Sequence, residues 1–374
     1  MAGCVWHVAG LSSEAERTSE VLRRELGVPR LVARVLALRG LGSPEAARKF
    51  LRADLDDLLD PLLLPDMERA VVRVLRAVRN GEKIRIYGDY DVDGITSTCV
   101  LLNVLKALGA DVDYYIPGRI EEGYGLNRDA VEKAASSGVT LLITVDCGIT
   151  AVDEVELARS RGVDVIVTDH HEPAEELPRA YALVNPKRRD STYPFADLAG
   201  VGVAYKLALA LLRAHAGTLD APAPSEGLLE LVALGTIADV APLTGENRVL
   251  AKHGLASLNC TSNPGLQALI RVSGLAGREI SSGAVGFFLG PRLNAVGRLG
   301  DASLCVDLLT ASSAERATYI ASILDKANQE RQSLEQAILD EAVSMVKTTP
   351  DGEAEDVVLV LAGEGWHPGV IGIV

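Results

Sequence analysis

Acids and histidines recur along this chain in short, tight groups whose natural chemistry is the binding of hard cations. Asp89, Asp91 and Asp93 fall in YGDYDVDGITST, directly after the apolar run IRIY. Asp146 follows LLITV, and Asp169, His170 and His171 follow DVIVT. Asp239 stands in LGTIADVAPL, an otherwise apolar stretch. Carboxylate oxygens joined by imidazole suit Mn²⁺ or Mg²⁺, and suit Zn²⁺ less well without thiolates. Crowded carboxylates repel one another and shift their pKa values unless cations neutralise them. Two such ions ~4 Å apart, sharing a bridging acid, favour in-line attack on phosphorus because they stabilise both the attacking and the leaving oxygen. The expected chemistry is phosphoryl transfer to water.

Each group taken alone has an ordinary structural explanation. An acidic loop such as DYDVDG is usually a solvated turn, and an Asp that ends a strand is commonly a helix N-cap. Adjacent histidines are often surface residues, and Asp239 could be a buried cap. The conjunction is what carries weight: each group sits at a strand end or in an apolar run, and all share the same ligand chemistry.

The elements around these residues explain how they could meet. The runs IRIYGDYDVDG, DVDYYIPG, LLITVDCGI, DVIVTDHHEP and AYALVNPK are rich in β-formers and alternate with helical stretches such as STCVLLNVLKALGA and AVDEVELARSRG. That alternation predicts an α/β fold with a parallel sheet flanked by helices, whose carboxyl strand ends face one crevice. Residues 1–70 read as an N-terminal helical segment punctuated by Pro29, Pro44, Pro61 and Pro65. Residues 71–260 read as the metal-binding catalytic domain, opened by ERAVVRVLRAVRNGEK with its Asn80-Gly81 helix stop. AHAGTLDAPAPSEG reads as a surface loop, and 312–347 as one or two long helices within a connecting region, 261–350. VVLVLAGEGWHPGVIGIV reads as a strand opening a second α/β lobe over 351–374, cut short by the end of the sequence.

Composition narrows the compartment and leaves the substrate open. No apolar run approaches the ~20 residues that span a bilayer, so no membrane role is expected. MAGCVWHVAGLSSEAERTSE lacks the basic and apolar regions of a secretory signal. Cys4, Cys99, Cys147, Cys260 and Cys305 are scattered and form no CxxC pair, which fits a reducing cytoplasm. The formal net charge of −14 argues against a nucleic-acid partner, yet bound cations invert the field of an acidic site, so charge does not decide.

The motifs GDYDVDG, VDCG, TDHH and GTIADVAPL, in this order, resemble those of the DHH phosphoesterase superfamily, named for Asp169-His170-His171. GYGLN, VNPKR, LAGVGVAYKL and GPRLNAVGRLGDA extend the likeness toward its bacterial branch of single-strand-specific exonucleases and over nearly the whole chain. The resemblance implies two Mn²⁺ or Mg²⁺ ions and 5′-to-3′ removal of mononucleotides from single-stranded DNA, in recombination and repair. As protein partners the resemblance implies single-strand-binding protein and a helicase. It implies Asp91, Asp93, Asp146, His170 and Asp239 as metal ligands, with Asp146 bridging, and Asp89 as a ligand or an acid behind one. His171 would contact the scissile phosphate or orient the nucleophile, and Arg292, Asn294 and Arg298 would hold substrate phosphate. The glycine-rich GPRLNAVGRLG shows no amphipathic period and reads as a phosphate-contacting loop, while GYGLN receives no role. GEGWHPGVIGIV resembles the start of the companion substrate lobe, of DHHA1 type. Tyr87 stands where some family members carry a ligating His, which leaves the first ion to carboxylates and water.

The competing readings are a small-substrate DHH phosphodiesterase, acting on short oligoribonucleotides, cyclic dinucleotides or pyrophosphate, and a silent scaffold that keeps the fold. A scaffold predicts losses among the motif acids, and none is lost. A dinucleotide-binding dehydrogenase is excluded, because acids stand where a GxGxxG phosphate loop should follow the first strand.

Overall fold

The structure is a computed structural model and describes residues 10, 12–217, 226–348 and 359–374. Helices α1 (Ser13–Leu26), α2 (Arg30–Leu38) and α3 (Pro44–Arg52) form the N-terminal segment. Ser12 and Ser43 cap α1 and α3 by accepting hydrogen bonds from the amides of Ala15 and Ala46. Leu22, Ala33, Leu36 and Ala47 close a small core of their own. Helix α4 (Met67–Asn80) ends where Gly81 takes the left-handed conformation, φ 64°, as the Asn-Gly signal predicts.

The five β-rich runs are the five strands of one sheet. Chain order is β1 (Lys83–Gly88), α5 (Val92–Ala107), β2 (Asp111–Tyr115), α6 (Arg128–Ser136), β3 (Val139–Val145), α7 (Val152–Ser160), β4 (Asp164–Thr168) and β5 (Ala182–Val184). Spatial order is β2-β1-β3-β4-β5, with every neighbouring pair parallel. Side chains alternate between two cores, as a period of two requires. Ile84, Ile86, Leu141, Ile143, Val145 and Ile166 face the core shared with α4 and α5, while Tyr87, Leu142, Val165 and Val167 face α6 and α7. The chain leaves β1 toward β2 on one side and returns to β3 on the other. The topological switch point, where open α/β sheets bind their ligands, therefore lies between the carboxyl ends of β1 and β3.

The remainder is helical: α8 (Gly200–Ala216), α9 (Glu226–Ala238), α10 (Gly245–Leu258), α11 (Pro264–Val272), α12 (Ser282–Ala284), α13 (Gly290–Leu299), α14 (Ser303–Leu309) and α15 (Ala314–Thr348). The long helical composition resolves into the single 35-residue α15.

Two expectations need correction. GPRLNAVGRLG is not a loop but helix α13, entered through a wider π-type turn at Val285–Leu289. Leu289, Leu293 and Val296 make the buried helical stripe that its glycines obscured. The apolar run expected to open a second lobe forms no strand over 359–362 and pairs with no strand among the described residues. Val357 and Val358, most of the AHAGTLDAPAPSEG loop, Cys4 and the first residues of the supposed non-signal start lie outside the described residues. Among the described residues no helix is long and apolar enough to cross a membrane.

Candidate metal centre

The carboxyl end of β1 runs straight into the Asp89–Asp91 turn, and close backbone approach fixes its shape. A Cβ on Gly94 would stand 2.6 Å from the Asp89 backbone, so only glycine lets the first turn of α5 sit on the β1 exit. Asp91 is the N-cap of α5, its Oδ1 accepting from the amides of Asp93 at 2.9 Å and Gly94 at 3.1 Å. Asp93 reaches across to the start of α8, where its oxygens accept from Gly200 N at 2.7 Å and Val201 N at 2.8 Å. A side chain at Gly200 is impossible too, because its Cβ would meet Asp146 Oδ1 at 2.5 Å.

Asp146 leaves β3 in the left-handed region, φ 60°, a conformation that costs a non-glycine residue about 1 kcal/mol. Val240, next to Asp239, is held at φ 61°, a stronger strain for a β-branched side chain. Strained backbone at one site acid and immediately beside another is what a site built to converge its side chains shows. After β4, Asp169 accepts from the amides of His170 and His171 and from Ile149 N. Its Oδ1 also lies 2.7 Å from His171 Nδ1. Tyr124 adds its hydroxyl 3.1 Å from the same nitrogen.

The ligand atoms come together in three sets, each within 4.8 Å: Asp89 with Asp91 and Asp146; Asp93 with His170 and Asp239; and Asp146 with His170 and His171. Asp146 and His170 each belong to two sets, and His170 Nε2 stands 3.1 Å from Asp146 Oδ1 and 3.8 Å from Asp93 Oδ2. That approach lacks hydrogen-bond alignment: Asp89 Oδ1, Asp146 Oδ1 and His170 Nε2 are buried with no hydrogen-bond partner among the described residues. Buried polar atoms are nearly always satisfied, so a convergent group of such atoms fits the binding of a cation. Burial, then the charges of Asp239 and Asp91, pushes Asp93 well above the usual carboxylate range, and burial with Asp93 does the same to Asp146. Burial and Asp91 lift Asp89 to about 7, and the same causes lift Asp239 to about 6. Burial and the neighbouring His171 charge lower His170 to about 4, leaving it neutral and able to ligate. Hydrogen bonding to Asp169 raises His171 instead.

A family model, the N-terminal domain of the DHH family, matches residues 83–236. A crystal structure of the exonuclease RecJ bound to manganese superposes with a TM-score of 0.75 at 39% identity, over 84% of this chain and 77% of that one. This chain belongs to the DHH family. Within that family it is 47% identical to the single-stranded-DNA-specific exonuclease RecJ of Bacillus subtilis, across 94% of this chain and 43% of the relative. A Mn²⁺ complex of RecJ from Thermus thermophilus gives a TM-score of 0.79 at 35% identity, over 96% of this chain and 50% of that one. The chain spans less than two thirds of the length of these curated relatives.

In this DHH chain the six acids and histidines expected as ligands, Asp89, Asp91, Asp93, Asp146, His170 and Asp239, all meet at the switch point. The residues expected on substrate phosphate fare differently. Arg292 donates to Asp325 at 2.8 Å and to the Phe288 carbonyl, and so ties α13 to α15. Asn294 Oδ1 accepts from Val92 N at 3.1 Å, which props the start of α5 from behind the acids. Arg298 remains beside the cleft, one nitrogen donating to the Gly369 carbonyl at 2.9 Å. Burial and the nearby charges of Arg119 and Arg331 depress it. Gly297 abuts Tyr90, since its Cβ would lie 2.7 Å from the Tyr90 carbonyl, and the Arg119 guanidinium lies 4.9 Å from the Tyr90 ring centroid. A basic group thus borders the acidic one. Tyr87 faces the opposite core with its hydroxyl on the Gly125 carbonyl, so it does not stand in for a ligating His. Sequence reasoning missed Tyr124, Asp169 as a positioning acid, and Arg119. GYGLN held the only local signal for Tyr124, whereas Arg119 could be found only through the fold.

Proposed function

We propose that this chain hydrolyses single-stranded DNA from its 5′ end to mononucleotides, using two divalent ions, Mn²⁺ or Mg²⁺, in recombination and repair. The observation that carries the reading is the group of buried, partnerless acid and imidazole atoms at the switch point, in a chain so similar to single-stranded-DNA-specific exonucleases. Asp89, Asp91 and Asp146 would hold one ion and Asp93, His170 and Asp239 the other, with Asp146 and His170 lying between them. When bound, the ions supply Lewis-acid polarisation of the phosphate and lower the pKa of water.

The chain's own residues do the rest. Asp169 fixes His171 through Nδ1 and favours its protonated form, in which the other nitrogen can donate to a phosphoryl or leaving oxygen. Tyr124 holds that ring from the side. Arg298 and Arg119 place positive charge where a phosphate enters the cleft, in keeping with electrostatic stabilisation of developing charge. The 5′ polarity rests on the family resemblance. Single-strand-binding protein and a helicase fit as partners, because one coats and the other generates this substrate, and the cytoplasm fits as the compartment.

The test is Mn²⁺-dependent release of label from 5′-labelled single-stranded DNA, with duplex DNA, short RNA and pyrophosphate in parallel. Mononucleotide release from single strands alone, abolished in Asp146→Ala, supports the proposal. Turnover of only pyrophosphate or short RNA would move the function to the small-substrate branch.

A further inference from the structure

A second cavity lies away from the sheet edge, where the N-terminal helices meet the start of α10. Its volume is about 530 Å³, within the range of small-molecule sites. Arg39, Lys49, Phe50, Phe195 and Arg248 are among its lining residues, and none of them belongs to the metal centre. The Arg248 guanidinium lies 3.8 Å from the Phe50 ring centroid, and its Nε donates to the Phe50 carbonyl. Phe195 presses on Gly245, whose Cβ would stand 2.6 Å from the ring.

The charges in this cavity do not balance locally. Its acids are already engaged. Asp57 pairs with Lys49 at 3.6 Å, and Glu246 is held by Lys206, by the Tyr193 hydroxyl and by Leu59 N. Arg39 and Arg248 both line the cavity and form no ion pair among the described residues, and burial, then the Arg39 charge, depresses Arg248. Two guanidiniums held near one another without a counter-ion repel, and an anion between them would relieve that repulsion. Paired guanidiniums match the oxygens of a phosphate, and aromatic walls match a flat ring.

We propose that this cavity binds a small phosphate ester with a flat aromatic body, a nucleoside monophosphate in size and chemistry, with its phosphate on Arg39 and Arg248 and its ring against Phe50 and Phe195. A volume of about 530 Å³ matches one small molecule and is too small for several residues of an acidic peptide. The inference stands apart from the nuclease reading, because no residue of the cavity is a candidate ligand or catalytic group.

The experiment is calorimetric titration of the whole chain with dAMP, inorganic phosphate and deoxyadenosine, run in EDTA to remove any phosphate site borne by metal. The expected result is one dAMP per chain, bound more tightly than either fragment. Arg39→Ala should weaken it about tenfold or more, the scale of one lost charge-assisted contact, as should Arg248→Ala. Asp146→Ala should leave it unchanged. Arg39 is exposed and makes no side-chain bond among the described residues, so its variant stays informative if Arg248→Ala fails to fold. Absence of dAMP binding would overturn the proposal. So would binding that survives Arg39→Ala, binding lost in Asp146→Ala, or capture of an Asp-rich peptide in place of dAMP.

Discussion

Two buried polar clusters share this core and are built in opposite ways. Lys206 is fully buried, yet its ammonium meets Glu246 and the Leu59 carbonyl, while Glu246 also accepts from the Tyr193 hydroxyl and Leu59 N. Every charge there has its opposite, and the result clamps the segment before α4 to helices α8 and α10. At the carboxyl edge of the sheet the acids outnumber the cations, and buried atoms of Asp89, Asp146 and His170 have no hydrogen-bond partner among the described residues. The contrast separates structural from functional burial. A compensated charge holds the fold, whereas an uncompensated group persists only where a ligand completes it.

The comparison can be broken at either end. Asp146→Ala should lower turnover by on the order of 10³-fold or more, the scale of deleting a catalytic group, while the metal-free protein melts no earlier than wild type. Steady-state hydrolysis and thermal melting check this, and near-wild-type turnover would sink the assignment. Glu246→Ala should do the reverse, costing about 3–5 kcal/mol by stranding the Lys206 ammonium. Urea unfolding reads that loss, and turnover per folded molecule should be kept. A cost below about 1 kcal/mol would show that the compensated cluster is not structural.

Acidity gives a third way to sharpen the contrast. Burial and Asp91 raise Asp89 to about 7 and Asp239 to about 6 in the metal-free fold, above the ~4 of unfolded aspartate. A raised folded-state pKa contributes stability that is complete below the unfolded value and lost as pH rises through the folded one. Metal-free protein should therefore lose stability between about pH 4 and 7, on the order of 5 kcal/mol, and Mn²⁺ should restore it most at the alkaline end. Melting curves at fixed ionic strength test the sign, and a metal-free protein that grows more stable over this range would contradict it. The smallest effect belongs to Tyr124→Phe. Losing one hydrogen bond to His171 should cost roughly 1 kcal/mol, about fivefold in turnover, with Mn²⁺ affinity unchanged. Equal losses in turnover and metal affinity would move Tyr124 into the metal site.

Much of the sheet was readable, because strand period and strand-end acids are local signals: GDYDVDG, VDCG and TDHH each carry both a strand exit and its cargo. The α13 helix was misread because Gly290, Pro291, Gly297 and Gly300 look like loop residues, while their real roles involve a helix start and a close approach to Tyr90. Arg292 and Asn294 look like phosphate ligands in isolation. Only the fold shows that Asp325 and Val92 already engage them. Tyr124 and Arg119 reach the cleft by long-range packing, which no short pattern encodes.

The account stands on the partnerless acids being a two-ion site. Manganese binding measured by calorimetry on the whole chain and on Asp146→Ala tests that most directly. Two ions per wild-type chain, and weakened binding of both in the variant, is the predicted result. A single ion, or binding indifferent to Asp146, would contradict it.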